Sequence, residues 1–136
     1  MAMKKGYQQL VDEANARIET LTVEEAQKLH GKPDVVFVDI RDPRELEREG
    51  MITGAFHAPR GMLEFWIDPD SPYFKEIFGT KKKFVFYCAG GLRSALATDI
   101  AQTMGLAPVA HIAGGFGEWK AKGGPVAERP ARKPAG

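Results

Sequence analysis

Phe84-Val85-Phe86-Tyr87-Cys88-Ala89-Gly90-Gly91-Leu92-Arg93-Ser94 joins a run of large apolar residues to a glycine-rich turn and then to a segment with helical spacing. Phe84 to Tyr87 has the aromatic and β-branched composition of a strand covered on both faces. Beyond the turn, Leu96, Ile100 and Met104 recur every four residues. That spacing predicts a helix over 94–104, with these three on one face and Gly105 closing it. Strand, tight turn and helix in this order form one step of an α/β sheet. In such sheets ligands sit beyond the carboxyl ends of the strands. Cys88, the single cysteine of the chain, stands at that position.

Working outward, Val35 to Ile40 (VVFVDI) is a second run of buried-strand type, and Val109 to Ile112 a third. After the first, Asp42 can cap, Pro43 can take the first helical position and Glu45 can complete the cap, so a helix is expected over 43–49, stopped by Gly50. After the other, a helix over 116–122 runs into the stop Gly123-Gly124-Pro125. Upstream, Leu10, Val11, Ala14 and Ile18 make an apolar stripe that predicts a leading helix over 7–19. Thr22 and Glu25 then have capping-box spacing for a short helix that Gly31 ends. Gly54 to Pro59 has room for a brief strand, 61–67 for a helical turn, and Ser71-Pro72 for the start of a helix over 73–78. Lys81 to Lys83 read as a solvated connection.

Strands alternating with helices predict a single α/β domain with a mostly parallel central sheet and helices on both faces. The expected organisation is an N-terminal helical extension (1–19), the domain itself (20–126) and a flexible, Pro- and Ala-rich C-terminal tail (127–136). The 136 residues and 43% hydrophobic content suit one core. With 19 basic against 18 acidic side chains, the net charge of +1 supplies no general field for nucleic acid or an anionic membrane. No apolar run approaches the roughly 20 residues a spanning helix needs. A lone cysteine allows no internal disulfide and the N-terminus lacks a signal-peptide core, so a cytoplasmic protein is expected.

Consecutive glycines allow a backbone curl whose amides point inward at a helix N-terminus, which forms a nest for anions and favours the ionised form of a thiol at its base. Arg93 can add a rim cation whose planar fork matches an oxyanion, and Ser94 can cap the helix or donate to sulfur. The competing reading is a structural cysteine buried in a glycine turn.

Four stretches resemble the rhodanese family of sulfurtransferases. They are Val38-Asp39-Ile40-Arg41 with Glu45 following, Gly50 to Pro59 (GMITGAFHAP), Cys88 to Ser94, and Gly114-Gly115-Phe116-Gly117-Glu118-Trp119 ending in Gly123-Gly124-Pro125-Val126. The likeness runs from about Ile18 to Val126. It implies the α/β domain derived above, with Cys88 as nucleophile and Ala89, Gly90, Gly91, Leu92, Arg93 and Ser94 as the anion-binding loop. It further implies that Cys88 takes a sulfane sulfur from a small donor such as thiosulfate, holds it as a persulfide without any cofactor, and passes it to an acceptor. With no second cysteine, the acceptor is a separate molecule: cyanide, a thiol or a protein cysteine. Cysteine phosphatases place five residues between Cys and Arg, whereas four stand between Cys88 and Arg93. The smaller ring suits sulfur better than phosphate or arsenate, so phosphatase and arsenate reductase are lesser readings. A non-catalytic binding module or a sensor of reactive sulfur is the other alternative.

Asp39 and Arg41 could line the pocket or orient Arg93, or form a structural ion pair. His57 could donate a proton and Arg60 could offer a second cation, against the plain reading of surface residues. His30, His57 and His111 are scattered without metal-ligand spacing, so no metal site is expected. Gly114, Gly115 and Gly117 do not make a nucleotide fingerprint, because Lys120 occupies the place of its last glycine; the resemblance makes them a structural turn, with Trp119 packing the last helix on the sheet. The excursion over 61–79 has two readings, a cover for the pocket mouth or a packed surface segment.

Overall fold

A computed structural model describes residues 2–129. Its strands are β1 (Glu19–Leu21), β2 (Val35–Asp39), β3 (Met51–Ile52), β4 (Phe56–His57), β5 (Lys83–Tyr87), β6 (Val109–Ile112) and β7 (Val126–Ala127). Its helices are α1 (Tyr7–Arg17), α2 (Val23–Leu29), α3 (Pro43–Glu49), α4 (Leu63–Ile67), α5 (Leu92–Thr103) and α6 (Gly115–Ala121). Five strands form one sheet in the order β1-β6-β5-β2-β4, and every pairing in it is parallel. The remaining two, β3 and β7, pair antiparallel beside it. Asp39 lies in register with both Tyr87 and His57, so β2, β4 and β5 finish at one edge, and Cys88 is the first residue past it.

Period-two alternation divides the strand residues between two layers. Phe84, Phe86 and Val38 pack with Leu63, Ile67, Ala97 and Ala101 of α4 and α5, and Cys88 continues that side. Val85, Tyr87, Phe37, Ala110 and Ile112 pack with Val23 and Ala26 of α2 and with Phe116 and Trp119 of α6. Each Val, Leu, Ile or Phe side chain among them, buried completely, contributes about 1.5–3 kcal/mol. Both capping boxes form: Thr22 with Glu25, and Asp42 with Glu45 behind Pro43.

Several elements depart from expectation. The leading helix ends at Arg17, not 19, and Glu19–Leu21 becomes an edge strand against β6; only Leu21 of the three is buried, so no alternation marked it. The helix after Cys88 begins at Leu92 rather than Ser94. Its buried face is Ser94, Ala95, Ala97, Thr98 and Ala101, while Met104 of the expected stripe is 39% exposed. The cause is that α5 lies between the sheet and α1, whose Val11 and Ala14 pack on Ala95, and small residues allow both close approaches. No helix forms over 73–78. A 3-10 turn at Glu76–Gly79 turns Phe78 inward instead, with its ring centroid 5.8 Å from that of Phe56 and 5.3 Å from that of Phe84. Lys83 opens β5 and pairs with Glu19, and so is not part of a free connection. At the C-terminus Val126–Ala127 is a paired strand and Arg129 bonds Glu47, so the expected loose segment does not start at 127; residues 130–136 lie outside the described residues.

Candidate active site

Cys88 leaves β5 directly into the turn, and its side chain is 1% exposed. The backbone amides of Gly91 and Ser94 donate to Sγ at 3.2 and 3.3 Å. These groups belong to the start of α5, so the unpaired N–H groups of a helix N-terminus converge on the sulfur. The Ser94 hydroxyl stands 3.6 Å from Sγ and 3.0 Å from His111 Nδ1 on β6, and His111 Nε2 lies 2.9 Å from Asn15 Oδ1 on α1. Burial pushes His111 down to about 4, so its ring is neutral at neutral pH.

Only one of the paired glycines needs its conformational freedom. Gly91 has φ +100°, and a Cβ there would lie 2.1 Å from the Ala113 carbonyl oxygen, whereas Gly90 faces open space. The turn is held from behind by α6. The amides of Phe116 and Gly117 donate to the carbonyls of Cys88 and Ala89 at 2.8 and 3.1 Å. This approach requires Gly115, with φ +63°, since a Cβ would sit 2.5 Å from the Ala89 oxygen. The GGFG stretch is thus a structural turn that supports the loop, and Trp119 packs α6 on Phe37 at 5.6 Å between centroids.

Arg93 stands at the rim with its fork on Glu45, at 2.9 and 3.0 Å to the two carboxylate oxygens. The Glu45 hydrogen bonds raise the Arg93 guanidinium further above its usual range, and Arg93 holds the Glu45 carboxyl below the usual carboxylate range. Glu45 also caps α3 by accepting from the Asp42 amide at 3.0 Å, so one carboxylate ties the α3 start to the loop. Ala89, Gly90 and the half-exposed Leu92 form the outer surface of the turn.

Asp39 and Arg41 do not line this site. Both side chains have zero exposure, and Arg41 donates to Asp39 from Nε at 3.0 and 3.2 Å and from Nη2 at 2.8 Å, and to the Gly50 carbonyl at 2.7 Å. The Arg41 guanidinium lies 4.3 Å from the Phe116 ring centroid, on the sheet face opposite the sulfur. It is Glu45, not this pair, that orients Arg93. His57 Nε2 is 2.7 Å from the Arg41 carbonyl and helps close the same structural knot. Arg60 pairs with Glu64 one helical turn on, at 2.7 Å. Among the described residues no three His, Cys, Asp or Glu side chains are grouped as a metal ion would require.

A parallel sheet in the order 1-6-5-2-4 with a single cysteine cradled by amides at the end of its central strand is a specific arrangement, and residues 22–122 match the family model described as the rhodanese-like domain. The chain belongs to the rhodanese-like domain family. A rhodanese domain-containing protein of Drosophila melanogaster is 30% identical over 108 residues, covering 76% of this chain and 97% of that protein. The thiosulfate:glutathione sulfurtransferase of Homo sapiens is 28% identical over 109 residues, covering 76% and 94%. A solved structure from Rhodopseudomonas palustris, of a protein of unknown function described as a possible tyrosine phosphatase, is 63% identical, with a TM-score of 0.91 over 93% of this chain and 98% of that one.

Within this rhodanese-like domain, sequence reading placed Cys88, Gly91, Arg93 and Ser94 together but missed three partners. Glu45 was legible as a cap and as part of the family-like stretch after Arg41, but not as the partner of Arg93. His111 and Asn15 come from a strand and a helix far apart in the chain, and no local pattern links either to Cys88. Helix α1, which carries Asn15, lies outside the matched 22–122.

Proposed function

We propose that the protein is a sulfurtransferase in which Cys88 carries a sulfane sulfur. The observation that supports this best is the buried Sγ receiving two amide hydrogen bonds at the end of β5. Such a cradle suits a sulfur bearing negative charge, as thiolate or as the inner atom of a persulfide. The Cys88 thiolate would attack the outer sulfur of a donor such as thiosulfate; the new S–S bond forms as the donor's own S–S bond breaks, and sulfite departs with the electron pair. Arg93, on leaving Glu45, and the loop amides would receive the departing oxyanion. A thiophilic acceptor, cyanide or a thiolate, would then take the terminal sulfur and return the Cys88 thiolate. The names of the human and other relatives agree with this class of reaction.

A phosphatase, the description attached to the R. palustris protein, fits less well. Four residues separate Cys88 from Arg93, one fewer than in cysteine phosphatases, which leaves a smaller ring for a tetrahedral phosphate. The test is direct. Thiosulfate and cyanide should yield thiocyanate, and thiosulfate alone should add one sulfur atom to intact Cys88 by mass spectrometry. Lack of the adduct in the unsubstituted protein, or its persistence in Cys88→Ser, would remove the sulfur-carrier reading. Hydrolysis of an aryl phosphate without sulfur loading would favour the phosphatase.

A further inference from the structure

The chain Cys88 Sγ, Ser94 Oγ, His111 Nδ1, His111 Nε2, Asn15 Oδ1 runs from the nucleophile to the protein surface, with separations of 3.6, 3.0 and 2.9 Å on either side of the ring. Ser94 is 0% and His111 1% exposed, and Asn15 is on the surface. With the Asn15 oxygen accepting, the ring proton sits on Nε2, Nδ1 accepts the Ser94 hydroxyl proton, and the Ser94 oxygen presents a lone pair to the Cys88 thiol proton. Every group is satisfied when Cys88 is a thiol.

Ionised sulfur reverses the requirement, because a thiolate needs donors. A protonated ring would supply one, but burial of His111 without a charged partner makes the imidazolium costly. A neutral route exists. An asparagine side chain carries both an acceptor and a donor. If the Asn15 amide turns to donate to Nε2, the ring proton moves to Nδ1, His111 donates to Ser94, and Ser94 donates to the sulfur. The thiolate then has a third hydrogen bond beside those of Gly91 and Ser94, with no charge added to the ring. The thiol proton itself leaves to solvent.

We propose that His111 and Asn15 are positioning residues for Cys88: by switching tautomer and amide orientation together, they reverse the hydrogen-bond chain and give the ionised sulfur a donor through Ser94. The inference rests on Cys88 being the nucleophile proposed above, but not on which electrophile it attacks. Ionisable residues on the elements around His111 are directed elsewhere. Arg17 pairs with Asp99, Glu13 with Lys5, Lys83 with Glu19 and Arg93 with Glu45. Asp12 accepts from Gln8, and the Tyr87 hydroxyl accepts from the Ile52 amide.

The test uses the whole protein, labelled with 15N at histidine. The His111 nitrogen shifts should report the Nε2–H tautomer while Cys88 is a thiol and the Nδ1–H tautomer once it ionises, with the change absent in Cys88→Ala. A single tautomer across that range, or an imidazolium, overturns the proposal. In Asn15→Asp, a surface substitution, the carboxylate can only accept from Nε2, so the neutral Nδ1–H tautomer loses its support and the only donor route to the sulfur is an imidazolium paired with the new carboxylate. Its His111 nitrogens should show the Nε2–H tautomer or the imidazolium, and never the neutral Nδ1–H form, when Cys88 ionises. A neutral Nδ1–H tautomer in Asn15→Asp also overturns the proposal. Since these spectra need no sulfur donor, absence of sulfur transfer with this behaviour intact would remove the proposed function alone.

Discussion

Replacing Arg41 by Met tests whether the Asp39 and Arg41 pair is architecture or chemistry. The substitution keeps an unbranched apolar stem but deletes three side-chain contacts to Asp39, the bond to the Gly50 carbonyl and the stacking over Phe116 at 4.3 Å. Asp39 stays fully buried, with the Arg41 backbone amide, at 3.0 Å, and the neutral Tyr87 hydroxyl beside it but no cation. Leaving one member of a buried pair uncompensated costs about 3–5 kcal/mol, a large share of the roughly 5–15 kcal/mol of a typical domain. The loss should appear as a fall of roughly 10–20 °C in Tm and as a lower urea midpoint at unchanged slope, followed through tryptophan fluorescence. Adding Asp39→Asn to Arg41→Met removes the stranded charge and should recover at least half of the loss. A loss below about 1 kcal/mol, or thiocyanate formation falling while stability holds, would refute this reasoning and return the pair to the active site.

Gly91→Ala should unfold the loop or cost at least about 2–3 kcal/mol, since a Cβ at φ +100° meets the Ala113 carbonyl, while Gly90→Ala, in open space, should change stability by less than about 1 kcal/mol; chemical denaturation of both checks this. Glu45→Gln should free the Arg93 fork and lower the KM for thiosulfate severalfold with kcat nearly unchanged, and a raised KM would mean that Glu45 is needed to aim the guanidinium. His111 is held neutral down to about 4, below the ordinary value of 6.5 that it regains on unfolding, so the unfolded chain binds the extra proton between those values. Stability should therefore fall as pH drops from about 6.5 to 4, by about 3 kcal/mol from this group, and the difference between the unsubstituted protein and His111→Gln should show that slope.

Local sequence was enough to determine the alternation of strands and helices, both capping boxes, the place of Cys88 at a strand end and the short span to Arg93. Each depends on neighbours within a few residues, through side-chain periodicity, cap chemistry and glycine. It was silent or misleading where long-range packing decided. The three-residue edge strand β1 exists because β6 offers a free edge, and α5 buries its small residues rather than Leu96, Ile100 and Met104 because it lies between a sheet and α1. Asp39 and Arg41 stood in a family-like motif, yet period-two alternation and the packing of Phe116 put them on the face away from the sulfur. The hydrogen-bond chain behind Cys88 is the clearest case. Ser94 is six residues from the sulfur, but His111 and Asn15 meet it only when β6 lies beside β5 and α1 folds over α5. Their spacing in the chain carries no trace of that contact, because it is the parallel sheet order, and not the local backbone, that brings them together.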